Sequence, residues 1–152
     1  MYQKILVPLD GSEFSECSLA HARAIATGCH VPGLVLLTVV EPVSPGFTGG
    51  LEGYIPPEVW QEKSQAEAEN YIAKTAATLK EEGLAAETAV ISGGAADVIL
   101  DYASKNQVDL IIMSTHGRAG VSRWVLGSVA DRVIRNATVP ILIASPAGCR
   151  IS

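Results

Sequence analysis

The sequence predicts an α/β fold: a Rossmann-like, doubly wound, five-stranded parallel sheet of order 3-2-1-4-5, with helices on both faces. Three observations predict it. Five short apolar runs alternate with four longer stretches of helical periodicity. The runs are continuous rather than alternating, as strands buried on both faces must be. Each intervening stretch is long enough for a crossover between parallel strands, and right-handed crossovers leave few topologies.

The elements follow in order. Tyr2 to Leu9, rich in Ile, Leu and Val, reads as a buried strand that closes on Pro8-Leu9-Asp10-Gly11. Ser12 is placed to cap a helix from about Glu13 to Ala26, with Leu19, Ala22 and Ala26 on one face and Gly28 as its stop. Leu34 to Val40 is the second strand. Glu41 to Pro57 carries four prolines and four glycines and reads as a loop, either a lid over a ligand or a linker. Glu58 to Glu82 is a long helix with an apolar stripe at Ala68, Ile72, Ala76 and Leu79, ending at Gly83. Ala85 to Ile91 is the third strand. Gly93-Gly94 leads into a helix with Ala95, Val98, Ile99, Tyr102 and Ala103 on one face. Asp109 to Met113 is the fourth strand. After a Gly-containing loop, a helix starts near Gly127 with Val129, Ala130, Val133, Ile134 and Ala137 at helical spacing, and Val139 to Ala144 is the fifth strand.

The chain has 152 residues, 48% of them hydrophobic, and suits one domain, 1–146, with a tail at 147–152. Its net charge of -5 disfavours general binding to phosphate backbones, so no nucleic acid is expected as partner. A small polyanion is compatible with that charge, because local backbone N–H groups outweigh a diffuse field. Met1 leads within a few residues into Ile5-Leu6-Val7, without a basic segment before a long apolar one, and no run approaches the roughly 20 residues that span a bilayer. A cytoplasmic location and no membrane partner are expected. Cys17, Cys29 and Cys149 are odd in number and form no CxxC pair, which argues for a reducing compartment and against disulfides or a zinc site.

In the predicted order the switch point lies between strands one and four, and ligands bind there, outside the carboxyl ends. Two clusters fall at that crevice: Pro8-Leu9-Asp10-Gly11-Ser12, and Met113 to Gly120 running on to Gly127-Ser128. Gly117 and Gly120 let main-chain N–H groups approach an anion closely. Gly127-Ser128 opens a helix whose first N–H groups lack internal partners and whose dipole favours negative charge. Ser128 adds a hydroxyl donor and Arg118 a cation. Asp10 would repel phosphate and suits a ribose, a base or a divalent metal. The plainer alternatives are a turn with an N-cap for the glycines, a cap for Asp10, and a loop hydrogen bond for His116. His21 and His30 lie outside the crevice.

The stretch Met113 to Ala144 resembles the C-terminal half of a universal stress protein domain. Ser114-Thr115-His116-Gly117, nine residues from Arg118 to Leu126, and Gly127-Ser128 are similar to the G-x-x-G, nine-residue, G-[ST] pattern of the ATP-binding branch. Ile5 to Ser12 is similar to the family's first strand and turn, and Val39-Val40-Glu41 to its second-strand end. Ser114 stands where the pattern has its first glycine; a serine fits if the position ends a strand in ordinary β geometry. The resemblance implies that Asp10, flanked by Pro8 and Leu9, contacts ribose, and that Val39 contacts adenine through its backbone. Met113, Ser114 and Gly117 would lie at the adenosine–phosphate junction, bordered by His116 and Arg118, while Gly127, Ser128 and Val129 hold the phosphates. It implies ATP, AMP or ADP as ligand, possible Mg²⁺, and a homodimer through Val139–Ala144, an apolar edge strand otherwise exposed.

Three functions follow: a nucleotide-dependent stress or signalling module acting on an unidentified protein partner, a slow ATPase, or an interaction module without nucleotide. Arg118 and Arg123 offer charge for hydrolysis, but no carboxylate is placed as a base, and Asp131 is expected to face solvent. No catalytic residue and no protein metal site are assigned. There is no GxGxxG after strand one and no GxxxxGK[ST], and strand three ends at Ile91-Ser92-Gly93 without a receiver domain's acid.

Overall fold

A computed structural model of the chain describes residues 1–42, 55–115 and 126–145. Five strands, β1 (Lys4–Pro8), β2 (Gly33–Val40), β3 (Glu87–Ser92), β4 (Leu110–Ser114) and β5 (Ile141–Ala144), form one sheet of order β3-β2-β1-β4-β5. All four pairings are parallel, with Leu6 opposite Val35 and Ile111, and Ser114 opposite Ala144. The predicted topology is therefore the observed one.

Helix α1 (Glu13–Gly28) and helix α2 (Pro57–Glu81) cover one face; α3 (Ala95–Lys105) and α4 (Ser128–Asn136) cover the other. Strand alternation divides the core between them. Ile5, Val7, Leu9, Leu34, Leu36, Leu110 and Ile112 meet Leu19, Ala22, Ala26, Ile72 and Leu79. On the opposite face Leu6, Val35, Leu37, Ile111 and Met113 meet Ala96, Ile99, Ala103, Ala130 and Val133.

Ser12 caps α1 as expected, its hydroxyl accepting the Ser15 N–H at 3.2 Å. Gly28 does not stop that helix but is its last residue. The reversal comes from Cys29, the C-cap, followed by His30 at φ 53. Gly83, at φ 88, does end α2. The third strand begins at Glu87 rather than Ala85, and the fifth at Ile141 rather than Val139, with the Pro140 carbonyl accepting the Ile111 N–H at 3.0 Å. On α4, Ala130 and Val133 are buried but Ile134 is 43% exposed, so the helix presents a narrower apolar face than its spacing suggests.

Cys17 is buried on α1 and Cys29 is free, while Cys149 lies outside the described residues. Among the described residues no helix is long and apolar enough to cross a membrane.

Candidate nucleotide site at the carboxyl edge

The crossover from β3 to β4 passes over β2 and β1, so the chain reverses its winding between β1 and β4. Backbone alternation shows what this leaves open. The Val40 carbonyl accepts the Gly93 N–H at 3.0 Å, so even residues of β2 direct their polar groups at β3. Odd residues face β1, as in Leu9 N–H to the Leu37 carbonyl, 2.8 Å. Pairing between β1 and β2 ends at Pro8 and Leu37. The N–H and C=O of Val39, the next outward pair, thus point over the place where β1 has turned away, and among the described residues neither finds a partner. On the other side of the gap, Thr115 N–H bonds to the Ala144 carbonyl at 3.0 Å, so odd residues of β4 face β5 and Ser114 faces β1.

The turn beneath the gap is tightly built. Gly11 adopts φ 83, which favours glycine. Oδ1 of Asp10 accepts the Ser12 N–H at 2.9 Å and the Ser12 hydroxyl at 2.5 Å. The Ser15 hydroxyl accepts the Asp10 N–H at 3.2 Å and donates to the Ser12 carbonyl at 3.0 Å. Ser18, fully buried, donates to the Ser15 carbonyl at 2.6 Å. Asp10 therefore does serve the turn, with an orientation set by Ser12. Ser15 and Ser18 were not singled out from the sequence; a Ser-x-x-Ser-x-x-Ser spacing opening a helix was the available signal.

Above β4, the Gly127 N–H bonds to the Thr115 carbonyl at 2.9 Å and brings the start of α4 to the strand's end. The first intrahelical bond is Asp131 N–H to the Gly127 carbonyl, so the N–H groups of Ser128, Val129 and Ala130 precede it and have no acceptor among the described residues. Asp131 pairs with Arg135 at 3.0 Å on the helix surface.

Of the predicted site residues, Pro8, Val39 and Met113 share the α3/α4 side of the carboxyl edge by alternation, where Val129 also packs. Gly127 and Ser128 open α4 on that side. Alternation with Leu110 and Ile112 turns Ser114 to the α1 side, and Leu9 lies buried on that same face. Ser114 is the last residue of β4, 7% exposed and without positive φ, so no glycine is required there. His116, Gly117, Arg118, Gly120, Arg123 and most of the nine-residue spacer lie outside the described residues, as do 43–54 of the loop and 146–152 of the tail.

Two polar contacts at the same edge were not legible in the sequence. The Glu41 carboxylate accepts the Ala95 N–H at 3.4 Å, capping α3, whose own N-cap Gly94 supplies no side chain. Gln61 of α2 donates to the Ser92 hydroxyl at 2.8 Å. On the other flank of the turn, the Tyr71 hydroxyl donates to Glu16 at 2.9 Å. Burial, that carboxylate and the charge of Asp10 push the Tyr71 phenol well above its ordinary range.

The model of the universal stress protein family matches residues 1–145. Universal stress protein MJ0531 of Methanocaldococcus jannaschii is 36% identical over 143 residues, covering 94% of this chain and 82% of that protein. The solved structure of MJ0577, from the same organism, superposes with a TM-score of 0.81 at 28% identity, covering 95% of this chain and 96% of its own. A universal stress protein from Archaeoglobus fulgidus, solved in complex with dAMP, shares the fold at a TM-score of 0.65 and 21% identity, covering 93% of this chain and 97% of that one. With the family model spanning nearly the whole sequence and the sheet order in agreement, the chain belongs to the universal stress protein family.

Proposed function

We propose that the chain binds an adenine nucleotide, ATP in the first instance, in the crevice between β1 and β4, and acts as a stress-response or signalling module rather than an efficient enzyme. One observation carries the reading. At the switch point the N–H and C=O pair of Val39 and the first N–H groups of α4, all without partners among the described residues, flank the ordered carboxylate of Asp10. The pair on Val39 has the donor–acceptor character that an adenine edge requires. The N–H groups of Ser128 and Val129 suit phosphate oxygens. Asp10, an acceptor held in place by Ser12, suits ribose hydroxyls. A relative of the same fold was solved with dAMP, an adenine nucleotide. His116, Gly117 and Arg118 complete the assignment through the family motif, and Pro8, Leu9, Met113 and Ser114 border it; Mg²⁺ would enter with the triphosphate.

The assembly proposed is a homodimer through β5. This strand lies at the sheet edge, Ile141, Leu142 and Ile143 are only half-buried, and Leu126 and Ile134 are exposed nearby in sequence on α4 and its approach. Sedimentation of the wild type and of Ile143→Lys tests it: a dimer that the variant converts to monomer is expected.

Calorimetric titration of ATP with Mg²⁺ into the wild type and Gly127→Val tests the nucleotide reading. Gly127 has φ -58, so a side chain there adds bulk at the helix mouth without straining the backbone. Saturable binding that the folded variant loses is the expected result. A wild type freed of ligand that binds no nucleotide would leave a protein-interaction module as the function.

A further inference from the structure

Helix α4 carries a cation whose position the nucleotide reading leaves unused. Arg132 lies four residues after Ser128, one turn or about 6 Å along the axis and close to the same azimuth. Side chains on a helix lean toward its N-terminus, so the guanidinium of Arg132 has the turn bearing Ser128 and Val129 within reach. In the structure it is held elsewhere: Nη2 bonds to Oδ1 of Asp97 at 2.7 Å, across to the first turn of α3. Both side chains are open to water, 59% and 63% exposed. The other described arginine of α4, Arg135, lies two turns from the mouth and is tied to Asp131, which stands between it and the helix start.

Resting on the nucleotide reading above, we propose that Arg132 is a phosphate-reading residue held in reserve by Asp97, and that a nucleoside polyphosphate at the mouth of α4 draws its guanidinium from the carboxylate. Three features favour the exchange. An exposed ion pair contributes little, so parting it is easy. A triphosphate offers several anionic oxygens that the planar guanidinium fork can engage in pairs, beside the first N–H groups of the helix. The ligand also brings concentrated negative charge to an edge where Asp10, Glu41 and Asp97 already gather, so a nearby cation gains by turning to it. Because Asp97 sits on α3 and Arg132 on α4, occupancy by a polyphosphate would also part this surface link between two helices whose buried faces stay packed. Adenosine, lacking phosphate, would leave the bridge closed. The residue thus separates ligands by phosphate count rather than by base.

The test is calorimetric titration of ATP, AMP and adenosine into the full chain as wild type, Asp97→Asn, Arg132→Gln and the double variant, each checked for unchanged melting. Asp97→Asn should tighten ATP about 3–5-fold by releasing the guanidinium, while adenosine binds as before. Arg132→Gln should weaken ATP by a similar factor, again sparing adenosine, and the double variant should match it. A bridge that only braces the helices predicts the opposite for Asp97→Asn, weaker binding of all three ligands. ATP affinity unchanged or reduced in Asp97→Asn, or adenosine weakened as much as ATP in Arg132→Gln, would overturn the exchange and leave the nucleotide site standing. A wild type that binds none of the three would remove both.

Discussion

The amide of Gly127 donates to the carbonyl of Thr115 over 2.9 Å, and this bond sets the mouth of α4 against the end of β4. The two residues are separated by the motif's nine-residue spacer and the two residues before it, yet they meet as neighbours. A helix start brought to a strand's carboxyl end, beside a strand that has turned away, leaves N–H groups at the switch point without an acceptor among the described residues. The same edge supplies the first prediction.

Asp10 has two separable roles. Asp10→Asn keeps an acceptor for the Ser12 N–H and hydroxyl, so stability should change by less than about 0.5 kcal/mol. Asp10→Ala removes that acceptor and should cost about 1 kcal/mol, as the loss of a capping side chain does. Both should weaken ATP binding, the alanine variant more. Urea unfolding paired with calorimetry separates turn from ligand; an Ala variant as stable as Asn would show that Ser12 does not depend on the carboxylate.

Gly93 and Gly83 are both at positive φ, but only one is also crowded. At Gly93, φ 148, an added Cβ would stand 2.8 Å from Cγ2 of Val98; at Gly83, φ 88, nothing lies within 4 Å. Gly83→Ala should cost about 1 kcal/mol through backbone strain alone, and Gly93→Ala about 2–3 kcal/mol. Val98→Ala should recover part of the loss at Gly93 and none at Gly83. Denaturation midpoints of the three variants and the two pairs decide it.

Thr38, 6% exposed, carries a buried hydroxyl with no hydrogen-bond partner among the described residues. Removing an orphaned polar group in favour of a methyl of similar shape should help. Thr38→Val is expected to stabilise the fold by about 1 kcal/mol, read as a higher melting temperature. A lower one would mean that the hydroxyl is satisfied in solution, by a bound water for example.

Tyr71 makes stability depend on alkaline pH. Its folded pKa lies above the ordinary value of 10, raised first by burial and then by the hydrogen bond to Glu16. The unfolded chain therefore loses this proton first. The contribution is complete below about pH 10 and is lost progressively as the pH rises toward the folded value. Tyr71→Phe should be less stable at neutral pH by about 1 kcal/mol, from the lost bond to Glu16, and should show a shallower decline above pH 10. Equal slopes for the two proteins would place the alkaline sensitivity elsewhere, Tyr102 being the next phenol raised by burial.

Much of this molecule is settled by local chemistry. Continuous apolar runs such as Ile5-Leu6-Val7 and Leu110 to Met113 can only be strands covered on both sides, and helical crossovers of fixed hand then order the sheet. Ser12 caps α1 and Gly83 ends α2 because cap and turn chemistry acts within a few residues. Sequence by itself therefore determined the fold and the switch point. What only the tertiary structure decided are pairings between residues far apart in the chain: Glu41 capping α3, Tyr71 reaching Glu16, and Asp97 holding Arg132. It also decided orientation at the site, turning Ser114 toward α1 while leaving the polar groups of Val39 over the gap. Periodicity reports which residues share a face, but a contact between elements depends on where each strand ends and how the helices lie across the sheet, and those are set only when the whole core packs.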